Sequence, residues 1–220
     1  MTKSHNALTE VEAKELLAKA RIPVVETKLA RSKREAISMS KEMGFPVVLK
    51  VNSRDVIHKS DSGGVKLGLA NATQAGKAYS EIMSSIRQAH PDARIEGISV
   101  QPMVAPAVEV IVGMSKDPQF GPVIMFGLGG ILVEVLKDVS FRIVPLTERD
   151  AGEMIREIKG YPILEGYRGQ KPASLPALEK LIVQVSRFVE KNSHIRELDL
   201  NPVFAYPDRA LAVDARIILE

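Results

Sequence analysis

Residues 56–65 read VIHKSDSGGV. His58 stands there in a polar stretch, with Lys59 and Lys66 near it and paired glycines, Gly63 and Gly64, five residues on. A core histidine would have apolar neighbours, and a zinc ligand would have further ligands close by; only Asp61 is at hand. An imidazole near its reference pKa of about 6.5 is largely neutral at pH 7, so one ring nitrogen is free to act as a base or nucleophile. General base, metal ligand and phosphoryl acceptor are the uses to weigh against an ordinary surface histidine. A rigid element suits a base. A carrier of phosphate gains from a mobile loop, with Ser60, Lys59, Lys66 and the amides of Gly63 and Gly64 to steady the group.

A second constellation closes the chain, in IRELDLNPVFAY and RALAVDARIIL. Side chains alternate along a strand, so Asp199 and Asn201 share a face. With Pro207-Asp208 as a two-residue turn, Asn201 comes opposite Asp214, at the roughly 4.5–5.5 Å spacing of cross-strand Cβ atoms. Two acids and a carboxamide suit Mg²⁺, a hard cation that takes few protein oxygens and completes its octahedron with water and phosphate. The alternative is structural: Asp199 and Asn201 finish the strand before Pro202, and Asp214 pairs with Arg216 or a nearby lysine.

Lys50 ends the apolar run FPVVLKVNS and could reach a phosphate as a point charge, or snorkel to solvent. Gly63-Gly64 and the stretch Gly127-Leu128-Gly129-Gly130 could offer backbone N–H groups to an anion, although turns are the commoner use of glycine. Glu109, in AVEVIVG, could accept bonds from ribose hydroxyls or simply face water. Neither GxxxxGK[ST] nor a complete GxGxxG is present, so a nucleotide would be held by some other architecture.

The elements that must position these residues alternate at first. LTEVEAKELLAKA has helical spacing, with a capping box from Thr9 to Glu12. PVVETKLA reads as a strand, SKREAISMSKEMG as a helix stopped by Gly44, FPVVLKVNS and KLGLA as strands, and TQAGKAYSEIMSSIRQAH as a helix. From Ile95 the texture changes to four strand-like runs, EGISVQPMV, AVEVIVGMS, GPVIMFGLG and KDVSFRIVPL. A helix (TERDAGEMIREI), a loop (PILEGYRGQKPAS) and a helix (LPALEKLIVQVSRFVEKN) precede the final hairpin. This order predicts an α+β (α/β) chain: an N-terminal helix at about 8–20, a first lobe at about 20–100 and a strand-rich second lobe at about 101–220.

At 220 residues, with 45% apolar and 26% charged residues, the chain can bury a substantial core. The formal charge of +3 arises from scattered lysines and arginines, without the basic–aromatic alternation of a nucleic-acid groove. The absence of cysteine excludes disulfides and thiolate metal sites. No stretch resembles a signal peptide or approaches the roughly 18 apolar residues of a membrane span, so a cytoplasmic protein is expected.

Taken together, PVVLKVNS, VIHKSDSGGVKLGL, SVQPMV, DPQFGPVIMFGLGG through VEVLKDVSFRIVPL, LEGYRG, ELDLNP and AVDARI occur in the order found in one family. From about residue 8 to its end the chain resembles the ATP-grasp β subunit of the ADP-forming acyl-CoA (acetyl-CoA) synthetases, relatives of succinyl-CoA synthetase. The resemblance implies an ATP-grasp fold, two α+β lobes clasping a nucleotide. It implies the reaction acyl-CoA + ADP + phosphate ⇌ carboxylate + CoA + ATP, with ATP/ADP and Mg²⁺ as cofactors. It also implies a CoA-binding α subunit that carries a first phosphohistidine, in an α2β2 assembly. Carried over by position, His58 takes the phosphate on a swinging loop and Lys50 holds nucleotide phosphate. Asn201 and Asp214 hold Mg²⁺ with Asp199 close by. The linker from Gln101 through Met103 to Val104 meets the adenine, and Glu109 meets the ribose. Gly127, Gly129, Gly130, Glu134 and Arg142 fall in a family stretch without individual roles. Ala107 departs from the glycine frequent there. A stand-alone carboxylate–amine ligase, which has no need of His58, and a non-catalytic nucleotide-binding module are the competing readings.

Overall fold

The apolar run around Lys50 forms β2 (Val47–Ser53), a strand buried along its whole length. In this computed structural model, which describes residues 6–56, 59–130, 137–169 and 171–220, the two faces of β2 have opposite characters. Val47, Leu49 and Val51 join an apolar cluster with Ile98, Val100, Ala36, Ala78, Ile82 and Ile86. Each fully buried Val, Leu or Ile there contributes about 1.5–3 kcal/mol. By alternation, Val48, Lys50 and Asn52 point the other way. One face of the strand therefore builds a core and the other is free to carry charge.

The chain divides into two units. The first comprises Met1–Lys14 and Val25–Ala105. Its sheet has the order β1-β4-β2-β3, from β1 (Lys28–Ala30), β2, β3 (Val65–Leu69) and β4 (Ile95–Pro102). All three pairings are antiparallel. Two helices, α2 (Lys33–Met43) and α3 (Ala72–Ala89), supply the apolar cluster. Their starts are capped by Ser32 and Asn71, and α2 ends on Gly44 at φ 81°, where a glycine avoids the Cβ strain of a left-handed residue. The run EGISVQPMV, where the strand-rich texture begins, forms β4 and pairs between β1 and β2 in the first sheet. Its apolar residues Ile98 and Val100 complete the helix-covered face. Local texture cannot reveal that choice, because the partners are distant in sequence.

The second unit comprises Glu15–Val24 and Pro106–Glu220, so the division falls within α1 (Glu10–Lys19). Its sheet runs β10-β8-β5-β6-β7, with β9 paired on β8. The strands are β5 (Val108–Asp117), β6 (Gly121–Leu128), β7 (Val139–Ile143), β8 (Ile195–Ala205), β9 (Ala210–Ala212) and β10 (Arg216–Leu219). The sheet is packed by α4 (Glu148–Glu157), started by a Thr147–Asp150 capping box, and by α6 (Leu175–Lys191). Leu178, Leu181, Ile182, Val185 and Val189 make the buried stripe of α6. The stretch read as a loop, PILEGYRG, holds a short helix, α5 (Tyr161–Leu164), and a 3₁₀ turn (Tyr167–Gly169). Among the described residues no helix is long and apolar enough to cross a membrane.

Candidate functional site

Three lysines of the first unit converge on one carboxylate. Glu10 opens α1, where the predicted capping box is present: the Thr9 amide donates to Glu12 Oε2 at 2.8 Å and the Glu12 amide to Thr9 Oγ1 at 3.4 Å. The box fixes the first turn and aims Glu10 at the polar face of the sheet. Lys50 Nζ lies 2.7 Å and Lys14 Nζ 2.9 Å from Glu10 Oε1, while Lys59 Nζ lies 2.6 Å from Oε2. The Glu10 side chain is 1% exposed. Burial, the largest single influence, pushes its carboxyl up, but the ammoniums of Lys50, Lys14 and Lys59 together outweigh it and hold the group far below its ordinary value of 4.5. Lys14 also donates to Gln101 Oε1 at 2.7 Å and Thr27 Oγ1 at 3.1 Å.

Lys50 is not at a strand end, as the sequence suggests, but mid-strand, opposite Ser99 on β4 and Val65 on β3. It is buried. The four groups carry one negative and three positive charges. Ammoniums gathered in this way suit a polyanion such as a nucleotide phosphate chain.

His58 lies outside the described residues. The segment that follows it is tied down at several points. The Gly64 amide donates to the Lys59 carbonyl at 2.7 Å, the Gly63 amide to the Ser60 carbonyl at 3.1 Å, and the Val51 amide to the Gly64 carbonyl at 2.8 Å. The expected anion cradle at Gly63 and Gly64 is therefore corrected: both amides are engaged inside the turn. Glycine is required there for space. A Cβ on Gly64 would sit 2.8 Å from both the Lys59 carbonyl oxygen and Val51 Cγ1, and Gly63 has φ 69°. Ser62 Oγ meets His90 Nε2 at 2.8 Å, which anchors the turn to the end of α3. Lys66 is paired with Glu81 at 3.0 Å.

Gln101 is buried and bonded to Lys14, so its side chain supports the strand rather than presenting itself. Beyond it the Met103 amide donates to the Pro46 carbonyl at 2.9 Å, and the half-exposed Met103 side chain lies beside Gly68. Val104 follows in an irregular, half-buried segment. A polarizable thioether at the surface suits a flat aromatic ligand.

In the second unit the last hairpin turns as predicted. The Tyr206 amide donates to the Arg209 carbonyl at 2.8 Å around Pro207-Asp208. The return strand is broken into β9 and β10, yet Val203↔Ala212 and Asp199↔Arg216 keep one register across the break, which sets Asn201 level with Asp214. Against β5 the register slips: Val110 faces Val203 and Val112 faces Leu200, so Asn201 and Pro202 together oppose Ile111. Such a bulge re-aims side chains. Glu197, Asp199, Asn201 and Arg216 line an open cavity of about 420 Å³, with Met125 and Phe141 as apolar wall. Burial pushes the Asp199 carboxyl up, the Arg216 guanidinium pulls it down, and the Asp214 carboxylate pushes it up again. Two carboxylates near enough to repel, beside a carboxamide oxygen, form a hard-oxygen set that fits Mg²⁺. Three acids or histidines do not cluster around a metal position among the described residues, so water and phosphate oxygens would complete the shell.

Glu109 lies on the same strand face two residues before Ile111, exposed. The Gly129 amide donates to its carbonyl at 2.7 Å, and a Cβ on Gly129 would stand 2.9 Å from Glu109 Cβ. Gly130 follows at φ 65°, beside the Glu109 carboxylate. Gly129 thus permits a close approach, and its amide is already engaged. Glu109 and Gly129 line a separate cavity of about 780 Å³ with Lys171 and Tyr206. Arg142 is paired with Glu157 at 2.7 Å; Glu134 lies outside the described residues.

Sequence reasoning missed Glu10 and Lys14, which look like ordinary acid and base on a helix. An acid at the first helical position three residues before a buried-face alanine was the sole local signal for Glu10.

Comparison with known proteins bears on this arrangement. The family model of the ATP-grasp domain matches residues 1–219. The β subunit of ADP-forming acetate–CoA ligase I from Pyrococcus furiosus is 54% identical over 212 residues, 96% of this chain and 91% of that one. Acetyl-coenzyme A synthetase 1 of Ca. Korarchaeum cryptofilum, in complex with coenzyme A and Ca-AMPCP, superposes with a TM-score of 0.96 at 49% identity, covering 98% of this chain and 94% of that one. The same enzyme with coenzyme A and Mg-AMPPCP, its phosphohistidine segment pointing towards the nucleotide binding site, gives 0.86 at 46% identity, over 98% and 93% of the two chains.

Proposed function

The chain belongs to the ATP-grasp family, alongside the β subunits of ADP-forming acetate–CoA ligases, and from that premise we propose that its two charge clusters serve the nucleotide half of an acid–thiol ligase. The reaction is acyl-CoA + ADP + phosphate ⇌ carboxylate + CoA + ATP. An α partner supplies the CoA-binding half, and we assign the pair an α2β2 assembly.

His58 is the phosphoryl carrier in this reading. A P–N bond on the partner's phosphohistidine breaks as one to His58 forms; the bond to His58 then breaks as a terminal oxygen of ADP takes the phosphoryl group. Phosphohistidine is a reactive phosphoramidate, so the protein's task is to position the groups and to neutralise charge. Lys50 holds nucleotide phosphate with its ammonium. Asn201 and Asp214 hold Mg²⁺, with Asp199 beside them; when bound, the metal neutralises phosphate oxygens. Met103 and Val104 meet the base, and Glu109 meets the ribose. Gly129 and Gly130 act by letting the backbone close on Glu109.

The observation that carries this reading is the convergence of three ammoniums, those of Lys14, Lys50 and Lys59, on one buried carboxylate. The test is His58→Ala in the assembled enzyme. ATP formation is expected to be abolished while Mg-ADP binding, followed by calorimetry, stays nearly intact. Unsubstituted turnover in that variant would remove the carrier role.

A further inference from the structure

Lys50 and Lys59 reach Glu10 from different elements. Lys50 comes from the middle of β2, and Lys59 from the segment directly after His58. Their ammoniums lie 2.7 and 2.6 Å from the two oxygens of one carboxylate. That carboxylate is the first residue of α1, and Lys14, one helical turn on, ties the same oxygen as Lys50 to Gln101 on β4. Like charges on flexible stems repel and would otherwise spread. The carboxylate that stands among the three ammoniums offsets that repulsion. The anion is itself rigid: it is buried, sits in a capped first turn and is favoured by the helix dipole.

We propose that Glu10 is a positioning residue that yokes the phosphate-holding Lys50 to Lys59, so that the carrier segment and the nucleotide phosphates are held in one fixed relation. The inference rests on the function assigned above and adds a residue to it. Glu10 does not touch the reacting atoms. Removing its charge should leave the cations to attract the nucleotide as well as before, or better, while their placement relative to the carrier is lost. A role confined to folding would lower binding and turnover together.

The experiment compares Glu10→Gln, Glu10→Asp and Lys59→Gln with the unsubstituted chain, each assembled with its α partner. Steady-state ATP formation gives kcat, and calorimetric titration gives the Kd of Mg-ADP. Glu10→Gln is expected to lower kcat at least about tenfold, a barrier change of about 1.4 kcal/mol, with the Kd unchanged or tighter. Glu10→Asp should restore part of kcat. Lys59→Gln should lower kcat by a larger factor than it raises the Kd of Mg-ADP. Should Glu10→Gln not fold, Lys59→Gln decides. An unsubstituted kcat in Glu10→Gln or in Lys59→Gln, or a parallel loss of binding and rate, overturns the inference while the assigned function stands. Failure of the unsubstituted assembly to form ATP overturns the function, and this inference with it.

Discussion

Around Glu10 the first unit gathers three cations, two of them buried, on one buried anion, whereas the second unit leaves Asp199, Asn201 and Asp214 half-buried or exposed on a hairpin, with Asp199 and Asn201 lining a cavity. The first set is gathered from a helix, a strand and a turn, which long lysine stems make possible. The second comes from neighbouring strands, because short acids meet only where the backbones already lie side by side. Protonation follows the same split. The cations hold the Glu10 carboxyl down, while burial, against the pull of Arg216, leaves the Asp199 carboxyl raised. One region packs its cations around a single anion; the other sets its acids beside the Arg216 guanidinium.

The largest expected effect that would break this contrast is at Lys50. Lys50→Met leaves Glu10 paired with Lys14 and Lys59, so the fold should persist while ATP formation falls about 10²–10³-fold, the usual loss on removing one preorganised charge-stabilising group. Steady-state kinetics beside a thermal melt checks it; an undiminished rate would take the phosphate role from Lys50. At the other pole, Asp214→Ala should raise the Mg²⁺ concentration for half-maximal rate about tenfold, or about 1.4 kcal/mol. Unaltered metal dependence would place the metal elsewhere.

Acid melts sharpen the comparison at smaller scale. The Glu10 carboxyl is depressed in the folded chain, so its stabilisation is in place above its ordinary value of 4.5 and is lost as pH falls through the depressed value. Glu10→Gln should therefore destabilise most near neutrality and progressively less in acid. A deficit that does not change with pH would show that shape, not charge, is what Glu10 supplies. The smallest effect is expected from Ser62→Ala, which removes the bond to His90 Nε2. A loss of about 0.5–1.5 kcal/mol in a denaturant titration is expected, and no loss would free the turn from α3.

Local chemistry made much of this legible. Thr9 and Glu12 announce their capping box, FPVVLKVNS its buried strand, and Pro207-Asp208 the register that brings Asn201 level with Asp214. What stayed hidden depends on contacts across long stretches of chain. Glu10 meets Lys50 across 40 residues and Lys59 across 49, and no helical pattern distinguishes it from a solvated acid. Membership of β4 in the first sheet is hidden in the same way. The glycines misled for another reason: Gly63 and Gly64 do form a turn, but only the folded loop shows that their amides are spent within it.

The slip of β8 against β5 has a consequence for length rather than identity. Upstream of it Leu198 and Leu200 are the inward residues, and downstream Val203 and Ala205 are, so inside and outside exchange parity across Asn201-Pro202. Deleting one residue from this short segment would keep every side chain near it and still turn either the acids or the valine to the wrong side of the sheet. The hairpin can therefore accept substitutions far more readily than a change in its count, and its spacing is as much a part of the site as its carboxylates.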